Sequence, residues 1–194
     1  MPNSLATISD YFLELDALKL INRRTYIDGG LRVENSAEHS WHLALACWSI
    51  ANSFQLDLSE EKLLKLALVH DLGEIDAGDT FLYSADRSEA HTEERKCVKR
   101  LQNHKGNGIA NLAELWEEQE TGNSLEAKLL KAVDRLLPFL HNISSQGKAW
   151  RESAVKKSQV QKAHEFIALD FPDIHRWLNN NIEMAVQEGW LVDA

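Results

Sequence analysis

The amino-acid sequence predicts an all-α protein that folds as a helical bundle. Apolar residues recur at helical spacing along most of the 194 residues, and no alternating strand pattern of useful length occurs. The helical stretches are separated by short segments that carry capping or turn residues. Because internal repeats and low-complexity linkers are also absent, we expect one domain over residues 1–194, with core motifs in 18–140 and further helices in 146–194.

The first predicted helix is followed by a loop. Apolar residues between positions 8 and 21 follow helical spacing. Residues 23–34 contain the Gly29–Gly30 pair, which indicates a break in regular structure. We therefore expect a loop over 23–34.

The second predicted helix has a recognisable start. Asn35 or Ser36 is a suitable N-cap, and Glu38 follows Asn35 by three residues, as the partner in a capping box does. The helix should continue to about Phe54.

The third predicted helix is apolar on most sides. Ser59 is a suitable N-cap, and residues 63–69 form a nearly continuous apolar run. We expect a central, buried helix that ends near Glu74, before Gly78. Four further helices are predicted over about 88–103, 112–120 and 125–140, and from Pro172 onward.

Charge and composition restrict the possible partners. The formal net charge of −9 argues against binding along a nucleic-acid backbone, which needs a clustered positive surface, but it allows a small phosphate ester. No run approaches the roughly 18 apolar residues of a membrane span. Cys47 and Cys97 are far apart, and residues 1–10 lack a signal-peptide pattern, so we expect a cytoplasmic protein without a disulfide framework.

The most informative local feature is the His70–Asp71 pair at the end of the apolar third helix. Burying a charged side chain without a partner destabilises the folded protein by roughly several kcal/mol. The pair therefore suggests a metal site. The alternative is a helix that has simply reached the surface, and a His–Asp dipeptide alone does not decide between them.

Two further residues strengthen the metal interpretation. His39 lies in the first turn of the second helix, and Asp134 lies within another apolar helix. With His70 and Asp71 they could supply two nitrogens and two oxygens to one ion, which suits Mn, Co, Fe, Ni or Zn and leaves positions for water and substrate. The sequence contains none of the HExxH, Glu-x-x-His, GxxxxGK[ST] and GxSxG motifs.

Taken together, these motifs resemble the HD-domain phosphohydrolase superfamily and, within it, the small 5′-deoxynucleotidase-like branch. The matching pieces occur in the family's order and extend over most of the chain. They are LKLINR (18–23), VENSAEHS (33–40), LALVHDLGE (66–74), GD (78–79), ELWEE (114–118) and EAKLLKAVD (126–134).

The resemblance implies one divalent cation, with Mg added to the metals above, and a metal-activated water that attacks the phosphorus of a phosphomonoester. It implies a catalytic acid–base role for Glu74, which follows His70 by four residues and is therefore expected on the same helix face. The alternative for Glu74 is a solvated charge at a helix end. The metal ligands implied by the resemblance are His39, His70, Asp71 and Asp134.

The resemblance also implies substrate-binding residues. Asp79 matches an acid that contacts the sugar and is counted with Glu74 as catalytic, although it could be an ordinary turn residue after Gly78. Arg23 matches a phosphate-binding arginine, although it could be a surface cation. Arg24 is assigned to substrate binding but stands where the bacterial 5′-deoxynucleotidase pattern has tryptophan. This departure predicts weaker exclusion of a ribose 2′-hydroxyl.

The sequence therefore predicts a phosphohydrolase that releases phosphate from a nucleoside 5′-monophosphate. Two alternatives stay open at this point: a phosphatase for another small phosphate ester, and a metal-binding regulatory module without turnover. The resemblance and the six tryptophans, which can cover apolar surface in an interface, also predict a homodimer.

Overall fold

Helices dominate the computed structural model, which describes residues 4–84 and 87–194, without the side chains of 87–89. This confirms the predicted all-α class. In the described part of the chain, no helix is both long and apolar enough to cross a bilayer. The helices are α1 Leu5–Asp16, α2 Ser36–Ser53, α3 Glu60–Val69, α4 Glu74–Ala77, α5 Arg87–Gln102, α6 Leu112–Thr121, α7 Leu125–Ser144, α8 Lys148–Glu152, α9 Lys157–His164, α10 Ile167–Asp170 and α11 Pro172–Gln187.

The segment expected to be a loop is a short hairpin, so that prediction was wrong. Strand β1 (Asn22–Ile27) pairs with β2 (Arg32–Asn35). The strands are too short and too polar to give a clear alternation in the sequence. The glycine signal itself was informative, because Asp28, Gly29 and Gly30 all adopt positive φ at the tip of the hairpin.

The start of α2 agrees with its capping signals. The Asn35 side chain accepts from the Glu38 backbone amide, and the Glu38 carboxylate accepts from the Asn35 amide, so Asn35 rather than Ser36 is the N-cap. Ser59 caps α3 in the predicted way by accepting from the amide of Lys62.

The third helix ends earlier than predicted. α3 stops at Val69, and a tight turn over residues 70–73 leads into the separate short helix α4. In this turn the Leu72 amide donates to the Val69 carbonyl, a bond across three residues that tightens the end of a helix. Gly73 permits a close approach of α5, because a Cβ atom at this position would lie 2.6 Å from the Cβ of Glu94.

The described residues form two compact units. The first comprises those of Met1–Arg23, Asn35–Thr80 and Ser84–Leu130, and the second comprises Arg24–Glu34, Phe81–Tyr83 and Lys131–Ala194. In the first unit, α3 packs against α2 and α6, and α5 packs against α4 and α6. One of its buried apolar clusters comprises Tyr11, Leu18, Val69, Leu72, Cys97, Val98, Leu101, Leu112 and Trp116.

In the second unit, α11 packs against α9 and α10, and the ring of Phe139 meets Trp150 and Trp177 edge to face. The prediction of a single domain stays a prediction.

Candidate metal and substrate site

Three of the four predicted metal ligands lie together in the first unit. One ligand atom from each of His39, His70 and Asp71 lies within 4.8 Å of the other two. The His39 and His70 ring centroids are 5.4 Å apart, and His70 Nε2 is 3.0 Å from Asp71 Oδ1. The capped first turn of α2 thus brings one imidazole to the turn that follows α3.

The hydrogen bonding of His70 suits a cation. Its Nδ1 lies 2.8 Å from the carbonyl oxygen of Ala67, which can only accept, so Nδ1 carries a proton. Nε2 then faces the Asp71 carboxylate at 3.0 Å, and either a ring proton or a metal ion between the two atoms makes this approach favourable. Two ligand atoms bound at right angles to one ion at about 2.1 Å are about 3.0 Å apart. The donor set therefore fits a divalent metal ion.

The fourth predicted ligand, Asp134, lies on α7 in the second unit. Its side chain is 17% exposed, and its Oδ2 accepts a hydrogen bond from the neighbouring Arg135 at 2.5 Å. Metal binding by Asp134 stays a prediction.

Arg23 lies among three carboxylates that are predicted from the sequence to bind metal or act in catalysis. Its Nη1 is 2.9 Å from Asp71 Oδ2, 3.6 Å from Asp79 Oδ1 and 3.9 Å from Glu74 Oε1. All four side chains are about nine-tenths buried. The structure thus brings Arg23, Asp71, Glu74 and Asp79 together, and Arg23 is not the surface cation of the alternative interpretation.

Burial and neighbouring charge move the two central carboxyl groups in opposite directions. Burial raises the pKa of Glu74 well above its ordinary value, and the nearby carboxylate of Asp71 raises it further, while Arg23 opposes both. Burial also acts to raise the pKa of Asp71, but His70 and Arg23 outweigh it and hold that pKa below its ordinary value. The cluster therefore favours a charged Asp71 beside a Glu74 that gains a proton more readily.

Ser36 contacts this cluster, although the sequence suggested it only as a possible helix cap. Its Oγ donates to Glu74 Oε2 at 2.5 Å. Because Asn35 is the actual N-cap, the Ser36 hydroxyl is available for this contact. The capping box with Glu38 favours Asn35 as the N-cap. This sequence signal could have indicated that the Ser36 hydroxyl has a different partner.

Arg24 belongs to the second unit, although it follows Arg23 directly. Its guanidinium carbon lies 5.1 Å from the centroid of the Phe81 ring, which is within the range of a cation–π contact. Substrate binding by Arg24 stays a prediction.

A second histidine–carboxylate group lies between α5 and α6. His91 Nε2 is 3.1 Å from Glu120 Oε2, and His91 Nδ1 is 3.9 Å from Glu94 Oε2. The two ring nitrogens face different carboxylates, which is the geometry of an imidazole bridging two acids. This group therefore connects the two helices.

The helical fold and the His39–His70–Asp71 cluster define a protein of the HD class. A family model described as "HD domain" matches residues 15–175, and the chain belongs to the HD-domain family. The predicted family is thereby confirmed.

One solved structure and two curated relatives extend this comparison. The structure, titled as a predicted metal-dependent phosphohydrolase from Magnetospirillum magnetotacticum MS-1, has a TM-score of 0.85 and 31% identity over 97% of this chain and 98% of that chain. The 5′-deoxynucleotidase HDDC2 of Danio rerio is 33% identical over 53% of this chain, which spans about half (51%) of that relative's length. The 5′-deoxynucleotidase YfbR of Salmonella newport (strain SL254) is 24% identical over 86% of this chain and 92% of its own length.

Proposed function

We propose that this chain is a metal-dependent phosphohydrolase that releases phosphate from a nucleoside 5′-monophosphate. The observation that carries the proposal is the buried cluster in which the His39–His70–Asp71 group adjoins Arg23 and Glu74. The names of the HDDC2 and YfbR relatives support the substrate class.

A divalent cation would be held by His39, His70 and Asp71, with Asp134 as the proposed fourth ligand. Mixed nitrogen and oxygen ligands suit Mn, Co, Fe, Ni or Zn, and Mg is also a candidate. When bound, the cation supplies a more acidic water and offsets negative charge on the phosphate.

The balance of charge supports dependence on a cation. Around Arg23, the ion-pair distances given above place one guanidinium among the carboxylates of Asp71, Glu74 and Asp79. A dianionic phosphate would be repelled by this group unless further positive charge were present. Substrate binding should therefore require the metal as well as the arginine.

The proposed roles of the chain's own residues follow from their contacts. Glu74 takes a proton from the attacking water and passes it to the 5′-oxygen of the leaving nucleoside as the P–O bond breaks, and Ser36 holds one of its oxygens in place. Arg23 binds the phosphate through its planar set of N–H donors while its carboxylate neighbours orient it. Asp79, 3.6 Å from Arg23, would accept from a sugar hydroxyl.

The test is phosphate release from a panel of substrates with added Mn²⁺ or Co²⁺. The panel contains deoxyribonucleoside and ribonucleoside 5′-monophosphates and several phosphomonoesters that are not nucleotides. Release from nucleotides is the expected result. Turnover of the other esters alone would favour the broader phosphatase, and metal binding without any release would favour a regulatory module.

Arg24 gives a prediction about sugar selectivity. Rejecting one hydroxyl requires a steric clash or an unpaired polar group, and a flexible arginine supplies neither well. We expect kcat/KM for a ribonucleotide to lie within about tenfold of the value for its deoxy counterpart. Arg24→Trp should increase the preference for the deoxyribonucleotide, and Arg151→Trp, at an exposed position in the same unit, is the control. A strong deoxy preference in the parent protein would contradict this.

We also propose a homodimer. Trp41, Leu45 and Trp48 follow each other at helical spacing on α2 and are 63%, 43% and 43% exposed, so they form an apolar stripe that a second copy could cover. Light scattering at micromolar concentration should give twice the 22.0 kDa mass of the chain. A single-chain mass would rule the dimer out.

A cytoplasmic location and a single HD domain over residues 1–194 complete the proposal. Cys47 and Cys97 are both buried thiols, which suits a reducing compartment. The HD-domain match over residues 15–175 includes parts of both compact units, which favours one domain.

A further inference from the structure

In the turn between α3 and α4, the backbone carbonyl of His70 accepts hydrogen bonds from side chains of another helix. Within the turn, the carbonyls of Val69 and Asp71 accept from the amides of Leu72 and Glu74 at 3.1 and 3.0 Å. The carbonyl of His70 accepts from side chains instead. On α6, Trp116 Nε1 lies 3.0 Å from this oxygen, and Gln119 Nε2 lies 3.5 Å from it.

The Trp116 donor is held rigidly. Its side chain is 1% exposed and belongs to the apolar cluster that includes Val69 and Leu72. The His91 ring meets the indole edge to face at 6.4 Å, and the Arg95 guanidinium lies 5.7 Å from its centroid. Because its position is constrained by this packing, the Trp116 N–H can orient the His70 carbonyl.

This carbonyl belongs to the peptide group that joins the two proposed ligands. A peptide group is planar, so fixing its carbonyl constrains the backbone rotation ψ of His70 and φ of Asp71. Those two rotations set where the imidazole and the carboxylate point. A change of about 0.5 Å in a ligand position is enough to impair a site that needs a defined geometry.

We propose that Trp116 is a positioning residue that sets the metal affinity of the His70–Asp71 pair through the His70 carbonyl, with Gln119 as a weaker second donor. The proposal rests on the proposed function, because it takes His70 and Asp71 as metal ligands. Trp116 is not one of the proposed metal ligands or substrate-binding residues, and it acts through the His70 carbonyl.

The decisive variant is Trp116→Phe, which keeps an aromatic ring in the core but removes the N–H donor. Calorimetric titration of the metal-free full chain with Mn²⁺ or Co²⁺ should show an affinity about 10–100-fold lower than in the parent, the range found when a hydrogen-bonding partner of a ligand is removed. Trp150→Phe is the matched control. Trp150 is equally buried and donates to Tyr83 in the second unit. This control should bind metal as the parent does.

The outcomes separate the two proposals. If the parent protein binds no metal, the proposed function fails. If the parent binds metal and Trp116→Phe binds it equally well, or if both tryptophan variants lose affinity equally, the positioning role is wrong while the proposed function stands. Should Trp116→Phe not fold, Gln119→Leu decides: a smaller loss in the same direction supports the role of the carbonyl, and unchanged affinity overturns it.

Discussion

An Asp71→Ala variant is expected to lose stoichiometric metal and nearly all phosphohydrolase activity. Asp71 Oδ1 faces His70 Nε2 at 3.0 Å, and its other oxygen pairs with Arg23 at 2.9 Å, so one substitution removes a proposed metal ligand and the closest carboxylate partner of the arginine proposed to bind phosphate. Because a metal ion contributes several kcal/mol to catalysis, kcat should fall by at least about 10²-fold. Elemental analysis of the purified variant and phosphate release measure the two effects.

A change at Asp76 controls for the loss of a carboxylate in the same part of the chain. The Asp76 carboxylate accepts from Arg100 on α5, so Asp76→Ala should keep metal and activity. Asp71→Asn is a second test, because it preserves volume and can still accept from Arg23 while removing the charge. Full metal content in both Asp71 variants would show that the ligand assignment is wrong.

The parts of the fold that depend on neighbouring residues could be predicted from the sequence. Asn35 and Glu38 define the start of α2 through contacts that extend over three residues, and Ser59 does the same for α3. His39 lies in the first turn of α2, and the apolar run of α3 leads directly to His70. Local signals therefore located the His39–His70–Asp71 group.

The remaining parts depend on contacts between distant residues. Glu74 was expected to share a helix face with His70, but α3 ends at Val69 and α5 packs closely on Gly73, which is a tertiary effect. The indole of Trp116, which donates to the His70 carbonyl, lies 46 residues further along the chain. Arg23 and Asp71, which also form a hydrogen bond, are 48 residues apart in the sequence. Periodicity within a single helix contains no information about such pairs.

Ser36 and the hairpin show two further limits of local patterns. A serine beside a cap residue looks like an alternative cap, and only the position of Glu74 gives its hydroxyl another partner. The hairpin places Arg23 on β1 although its sequence has no clear strand alternation. β1 is a strand because it pairs with β2, and two polar segments this short do not by themselves predict that pairing.

A Glu74→Gln variant is the second change with a large expected effect. The amide keeps the volume of the side chain, and its carbonyl can still accept from Ser36 Oγ, but it cannot take a proton. The proposed ligand set of His39, His70, Asp71 and Asp134 does not include Glu74. We therefore expect parent-like metal content and helical circular dichroism, while kcat on the best monophosphate falls by about 10²–10⁴-fold, the usual cost of losing acid–base catalysis.

Asp76→Asn is the matched control, because it removes a carboxylate from the same short helix α4. Its kcat should stay close to that of the parent. If Glu74→Gln also turns over normally, Glu74 has no role in proton transfer and its burial beside Arg23 is structural. If Glu74→Gln loses its metal, Glu74 is itself a ligand, and one of the four proposed ligands is then misassigned, with Asp134 the first to be re-examined.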